Sequence, residues 1–161
     1  MSDKQLLEKL SNLRGSKTII VGVGNTLKGD DGAGPLLCQQ LQGKIRAELI
    51  DVGTTPENFI SPIVKKAPDN LIIVDAMDFA MSPGTFDIFK PQQLSSLAVS
   101  THVLSPHLLL DIIRRSIKVD VYIIGVQPQQ IGLGQPVSPL VKKAIDRLAE
   151  LLISIFGSAS K

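Results

Sequence analysis

VGVGNTLKGDDGAGPLL, residues Val21 to Leu37, carries an apolar strand into a glycine-rich loop and reaches paired carboxylates just before a helix. Glycine loops and helix N-termini present backbone amides that attract anions. Asp30 and Asp31 in that place repel phosphate and suit a cation or a protonated partner. Two glycine motifs are thereby excluded. The dinucleotide fingerprint needs a third glycine three residues after its second, and after Gly22 and Gly24 that place is taken by Leu27. The phosphate loop fails too: Gly24 and Gly29 have its glycine spacing, but Asp30 and Asp31 stand where it has lysine and a hydroxyl.

Outward from this junction, strands and helices alternate. Thr18 to Val23, Leu71 to Ala76 and Val121 to Val126 are short runs rich in Ile and Val without polar alternation, the pattern of central parallel strands covered on both faces. Arg46 to Val52 reads as a second strand, and Gly84 to Phe89, after Pro83, as a strand at an edge or turned back on the sheet. Helices open at Gly34 and Pro35 (to Gly43), at Pro56 and Glu57 (to Lys66), and at Ser105 and Pro106 (to Ile117). The last opens at Ser138 and Pro139 and runs to Phe156, with Val141, Ala144, Ile145, Leu148 and Leu152 at helical spacing. The prediction is an α/β fold, a three-layer α/β/α sandwich on a mostly parallel, doubly wound sheet. The chain, 1–161, reads as a single domain in which 1–14 form an N-terminal helical extension and 17–156 the core. In such folds the site lies beyond the carboxyl ends of the strands, near the switch in strand order.

The bulk properties exclude several classes. A chain of 161 residues buries roughly two thirds of its unfolded surface in one core. Its formal net charge is +2 with both signs interleaved, so no basic stripe marks it for nucleic acid. The opening MSDKQLLEKLSNLRG is charged throughout and no apolar run reaches membrane-spanning length, which predicts a soluble, cytoplasmic protein without membrane insertion. Cys38, the sole cysteine, rules out an internal disulfide or a cysteine-based zinc site from this chain alone. Beside Leu36, Leu37 and Leu41 it reads as a buried structural thiol. The oligomeric state is not legible.

At the strand ends, Asp75 emerges from an apolar run, where a carboxylate needs a partner. It is either a functional acid or a cap or loop hydrogen-bond acceptor. Asp78 fits the turn before Pro83. The chain has two histidines: His102 lies in a loop just before a helix, and His107 inside that helix reads as a packing or surface residue. Two acids and one imidazole from separate loops form an oxygen and nitrogen set with open positions, as metal-assisted hydrolysis requires.

GVGNTLKGDDGAG, VDAMD with Pro83 and Gly84 after it, the STH triplet, and IIGVQP before a terminal helix together resemble the hydrogenase maturation endopeptidases. These enzymes trim the C-terminus of the large subunit of nickel-iron hydrogenases. The resemblance runs from Thr18 to Leu152, in order and at compatible spacing. It implies that Asp31, Asp75 and His102 are both the metal-contacting and the catalytic residues, and that Asp30 supports the loop. It further implies that nickel is carried by the substrate protein, the precursor of the large subunit, and that cleavage follows a basic residue beyond its last nickel-binding cysteine. Features such as THVLSPHLLLDII and IGVQPQQIG lean toward the branch serving hydrogen-evolving, formate-linked enzymes.

Three other readings use the same scaffold. A receiver-like phosphoacceptor has an acid pair after its first strand and an aspartate ending its third. Here Gln127 precedes Pro128 where a receiver has lysine, and a loop separates the acid pair from its strand. A phosphatase of the DxD type needs acids two apart, whereas Asp75 and Asp78 are three apart. The third is a noncatalytic metal-binding module.

Overall fold

The computed structural model describes residues 1–94, 99–100 and 106–157. Six strands form the sheet: β1 (Thr18–Val23), β2 (Glu48–Gly53), β3 (Asn70–Asp78), β4 (Phe86–Phe89), β5 (Val99–Ser100) and β6 (Asp120–Val126). Five lie side by side in the order β2-β1-β3-β6-β4, and β5 pairs with the end of β3. β1, β2, β3 and β6 run parallel, while β4 is antiparallel to β6 at the edge. Every residue of β1 is buried, which explains its unbroken apolar reading.

Helices α1 (Asp3–Leu10), α2 (Ala33–Leu41) and α5 (Pro139–Phe156) cover one face. Their Leu6, Leu10, Leu37, Ile145 and Leu148 pack on Ile20, Ile72 and Ile124 of the strands. Helices α3 (Ile60–Lys66) and α4 (Pro106–Ser116) cover the other, where Ile63, Leu110 and Ile113 meet Ile19, Leu71 and Val121. The three layers and the mostly parallel sheet match the expected fold. After β1 the chain turns one way to β2 and then passes back to β3 on the other side of β1, so the switch in strand order lies between β1 and β3.

Two boundaries differ from the sequence reading for physical reasons. The strand expected to end at Ala76 continues through Asp78, because β5 supplies antiparallel partners to Met77 and Asp78. Gly43 adopts a left-handed backbone two residues past the end of α2, and β2 starts at Glu48 because the Arg46 amide is given instead to the Phe156 carbonyl, at 2.8 Å. Ser105, read as the cap of α4, lies outside the described residues.

The N-terminal helix is part of the main core. Ser2 caps it with a reciprocal bond to Gln5, and Leu6 and Leu10 are sealed against α5. Asp3 pairs with Arg147 of α5, and the Arg14 guanidinium donates to the Ser154 and Ile155 carbonyls at 3.1 and 3.2 Å.

Candidate active site

The loop after β1 folds back over the sheet because its glycines permit contacts that no side chain allows. A Cβ on Gly24 would lie 1.9 Å from the Asp31 carbonyl oxygen. Gly34, at the start of α2, presses on both central strands: a Cβ there would stand 2.5 Å from the Val23 carbonyl oxygen and 2.6 Å from that of Val74. Val74 precedes Asp75, so α2 enters against the peptide group that leads into that acid. The 3-10 turn Gly29–Gly32, which bears Asp30 and Asp31, packs against β3.

Asp31, in the turn after β1, and Asp75, where β3 runs past β1, thus both lie on the carboxyl side of the switch in strand order, the crevice where doubly wound sheets place their sites. Both are buried, at 4% and 6% exposure. The Asp31 carboxylate accepts from the Asn25 amide at 3.1 Å. Asp75 lies inside β3, one residue past the last β1 pairing, Gly22 with Val74, and opposite Gly125 of β6. By the two-residue period of a strand it shares a face with Leu71 and Met77, the side covered by α3 and α4. A carboxylate so placed is desolvated, the setting in which a cation or a proton is held.

His102, the third residue of the predicted set, lies outside the described residues. Among the described residues no group of three His, Cys, Asp or Glu side chains is placed to hold a metal ion.

Asp30 has a different task. Wholly buried, its carboxylate accepts four hydrogen bonds from the segment after β6. They come from the amides of Gln129 (2.8 Å), Gln130 (2.9 Å) and Ser138 (2.7 Å), and from the Ser138 hydroxyl (2.8 Å). With three donors on Oδ2 and one on Oδ1, Asp30 clasps two loops together, consistent with its predicted role as loop support. Sequence reading took Ser138 only as a helix opener. Its side chain makes no capping bond and turns to Asp30 instead.

Gln127 was also read by position alone. Its amide oxygen accepts from the Phe79 amide at 2.9 Å and the Met81 amide at 3.3 Å, and its nitrogen donates to Asp78 at 3.2 Å. It therefore shapes the turn after β3, and Asp78 serves that turn as expected. Cys38 packs under Gly22. Burial first, then the charge of Asp51, pushes its thiol up to about 11. No described helix is long and apolar enough to cross a membrane.

Comparison with known proteins agrees with this architecture. A model of the HycI hydrogenase maturation protease family matches residues 35–155. The hydrogenase 3 maturation protease of Escherichia coli K12 is 33% identical over 137 residues, covering 83% of this chain and 87% of that protein. A putative hydrogenase maturation protease of Methanocaldococcus jannaschii is 30% identical over 162 residues, covering 94% of each. The crystal structure of the [NiFe] hydrogenase maturation protease HycI from Thermococcus kodakarensis superposes with a TM-score of 0.82 at 32% identity, covering 91% of this chain and 97% of that one.

Proposed function

This chain belongs to the hydrogenase maturation protease family, and on that premise we propose that it is a nickel-dependent endopeptidase. Its substrate is the nickel-loaded precursor of a hydrogenase large subunit, from which it removes the C-terminal peptide in the cytoplasm. The observation that supports this reading is the burial of Asp31 and Asp75 on the carboxyl side of the switch in strand order between β1 and β3.

In this reading nickel arrives on the cysteines of the precursor and is part of the substrate. Asp31, Asp75 and His102 complete its coordination and are the catalytic set. His102, outside the described residues, enters the set through the resemblance of its STH triplet to that family. Imidazole is a good nickel ligand and carboxylate an acceptable one. A set of three with vacant positions binds an ion already held by a partner while retaining free nickel weakly, which makes cleavage conditional on metal insertion. The ion polarises the scissile carbonyl or activates the attacking water. Asp30, held by four donors, contributes the loop geometry.

The test is to incubate the chain with its precursor, nickel-loaded and nickel-free, and to weigh the products. The loaded precursor is expected to lose its C-terminal peptide and the nickel-free form to stay intact. Equal cleavage of both overturns the gating.

A further inference from the structure

Large aliphatic side chains gather at the rim of the acid crevice. Leu27, in the loop between β1 and α2, is 66% exposed, and Leu133, in the loop between β6 and α5, is 76% exposed, with Ile131 two residues before it. These two loops are stitched together. The Gly134 amide donates to the Leu27 carbonyl at 2.8 Å, the Gly29 amide to the Gln135 carbonyl at 3.0 Å, and the Asp30 amide to the Gln130 carbonyl at 2.8 Å, over the Asp30 clasp itself. The leucines are therefore held up on a fixed platform.

Exposed apolar side chains scattered singly need no explanation, but a group fixed beside a site marks an interaction surface. We propose that Leu27, Ile131 and Leu133 form the docking surface for an apolar segment of the precursor polypeptide next to its cleavage site. Continuity with the crevice selects that occupant. Leu27 lies four residues before Asp31 in the same loop, and the loop that bears Leu133 is bonded to Gly29 and Asp30, so a polypeptide bound at Asp31 lies beside the leucines. Preorganisation of the platform lets side chains be buried on binding without a further cost of ordering the loop, and a few central apolar anchors carry most of the affinity in such interfaces.

This inference rests on the function proposed above, and one experiment separates the two. The kinetics of tail removal from the nickel-loaded precursor are measured for the native chain, Leu133→Gln, the Leu27→Gln/Leu133→Gln pair, and Ile112→Gln as a control on α4, away from the rim. All three substituted positions are exposed, and thermal melts confirm that each variant is folded. The pair is expected to raise KM at least about tenfold, with kcat held within about twofold, Leu133→Gln to fall between it and the native chain, and Ile112→Gln to match the native chain. If the native chain cuts and the pair shows an unchanged KM, the docking surface is refuted and the function stands. If sedimentation finds a native dimer that the pair dissolves, the occupant is a second copy and the proposal falls. If the native chain leaves the loaded precursor uncut, the reading beneath it fails first.

Discussion

Asp30 and Ser138 stand 108 positions apart in the chain and meet twice, the Ser138 amide donating to Oδ1 at 2.7 Å and its hydroxyl to Oδ2 at 2.8 Å. The bonds tie the loop that bears Asp31 to the start of α5. Because α5 is anchored in the core along a full apolar face, the position of Asp31 is referred to the packed core. The two neighbouring acids thus divide the work: one fixes the loop and the other faces the crevice.

Loss of that clasp is expected to be felt in stability. Asp30→Ala leaves four donors without their acceptor in a buried place, and each orphaned group costs about 1–3 kcal/mol. With partial rescue by water, a net loss of about 3–5 kcal/mol is expected, against about 1 kcal/mol for Ser138→Ala, which removes only the hydroxyl. Urea unfolding measures both. An Asp30→Ala midpoint equal to that of the native chain would show that the four bonds hold nothing.

The three residues assigned to coordination behave differently. Asp31→Ala, Asp75→Ala and His102→Ala are each expected to lower processing of the nickel-loaded precursor by at least about a hundredfold while far-ultraviolet circular dichroism stays native. His107→Ala is expected to be nearly silent. Ordinary processing by any one of the three removes that residue from the set.

Gly34 tests how the crevice is built. Its absent side chain lets α2 sit on the backbone of Val23 and Val74, and a methyl group there would meet three backbone atoms between 2.5 and 2.6 Å away. None of these is a flexible side-chain end that can swing aside. Gly34→Ala is expected to cost about 3 kcal/mol or more through overpacking, with loss of processing as α2 and the acid turn lift away. A thermal melt within about 1 °C of native would mean that helix and strands part at little cost.

How much of this was legible in the sequence follows from the range of the interactions. Unbroken Ile and Val runs such as Ile19 to Val21 report burial on both faces, so the parallel strands and the sandwich were readable from local pattern. Asp30, Asp31 and Asp75 stood out because charge beside glycines or inside an apolar run is anomalous wherever the chain goes next. The clasp was not readable, since Ser138 before Pro139 is equally good as an ordinary helix cap and its partner lies 108 residues away. The reach of β3 to Asp78 was hidden for the same reason: Met77 and Asp78 are strand only because Val99 and Ser100 return to pair with them. Gln127 gave no signal of its three bonds, because a glutamine looks alike in sequence whether it holds a turn or faces water.

Cys38 supplies a prediction with a definite pH window. Burial raises its thiol from 9.0 to about 11 in the folded chain, so folding favours the protonated form. That contribution to stability is complete below pH 9 and is lost as pH rises from 9 to about 11, where the unfolded chain ionises first. Thiolate is the reactive species. A disulfide reagent at pH 8 is therefore expected to label native protein slowly and urea-unfolded protein at once, and rapid labelling of the folded chain would place the sulfur outside the core.

The N-terminal helix gives the last prediction. By sequence it looked like an addition to the core, yet Leu6 and Leu10 are fully buried and pack with α5, while Arg14 and Asp3 bind α5 at its end and its middle. Truncating a buried leucine to alanine costs about 2–5 kcal/mol, and a domain holds only about 5–15 kcal/mol in all. Leu6→Ala is therefore expected to remove about a quarter or more of the stability, measurable by urea unfolding, and Leu6→Ala/Leu10→Ala together to leave much of the chain unfolded at 37 °C. Because α5 also carries the Ser138 end of the clasp, the damage reaches the crevice. Processing by Leu6→Ala is expected to fall at a lower urea concentration than processing by the native chain, although the helix lies outside the site. If the double variant melts with the native chain, α1 is an appendage after all, and α5 owes its position to the sheet alone.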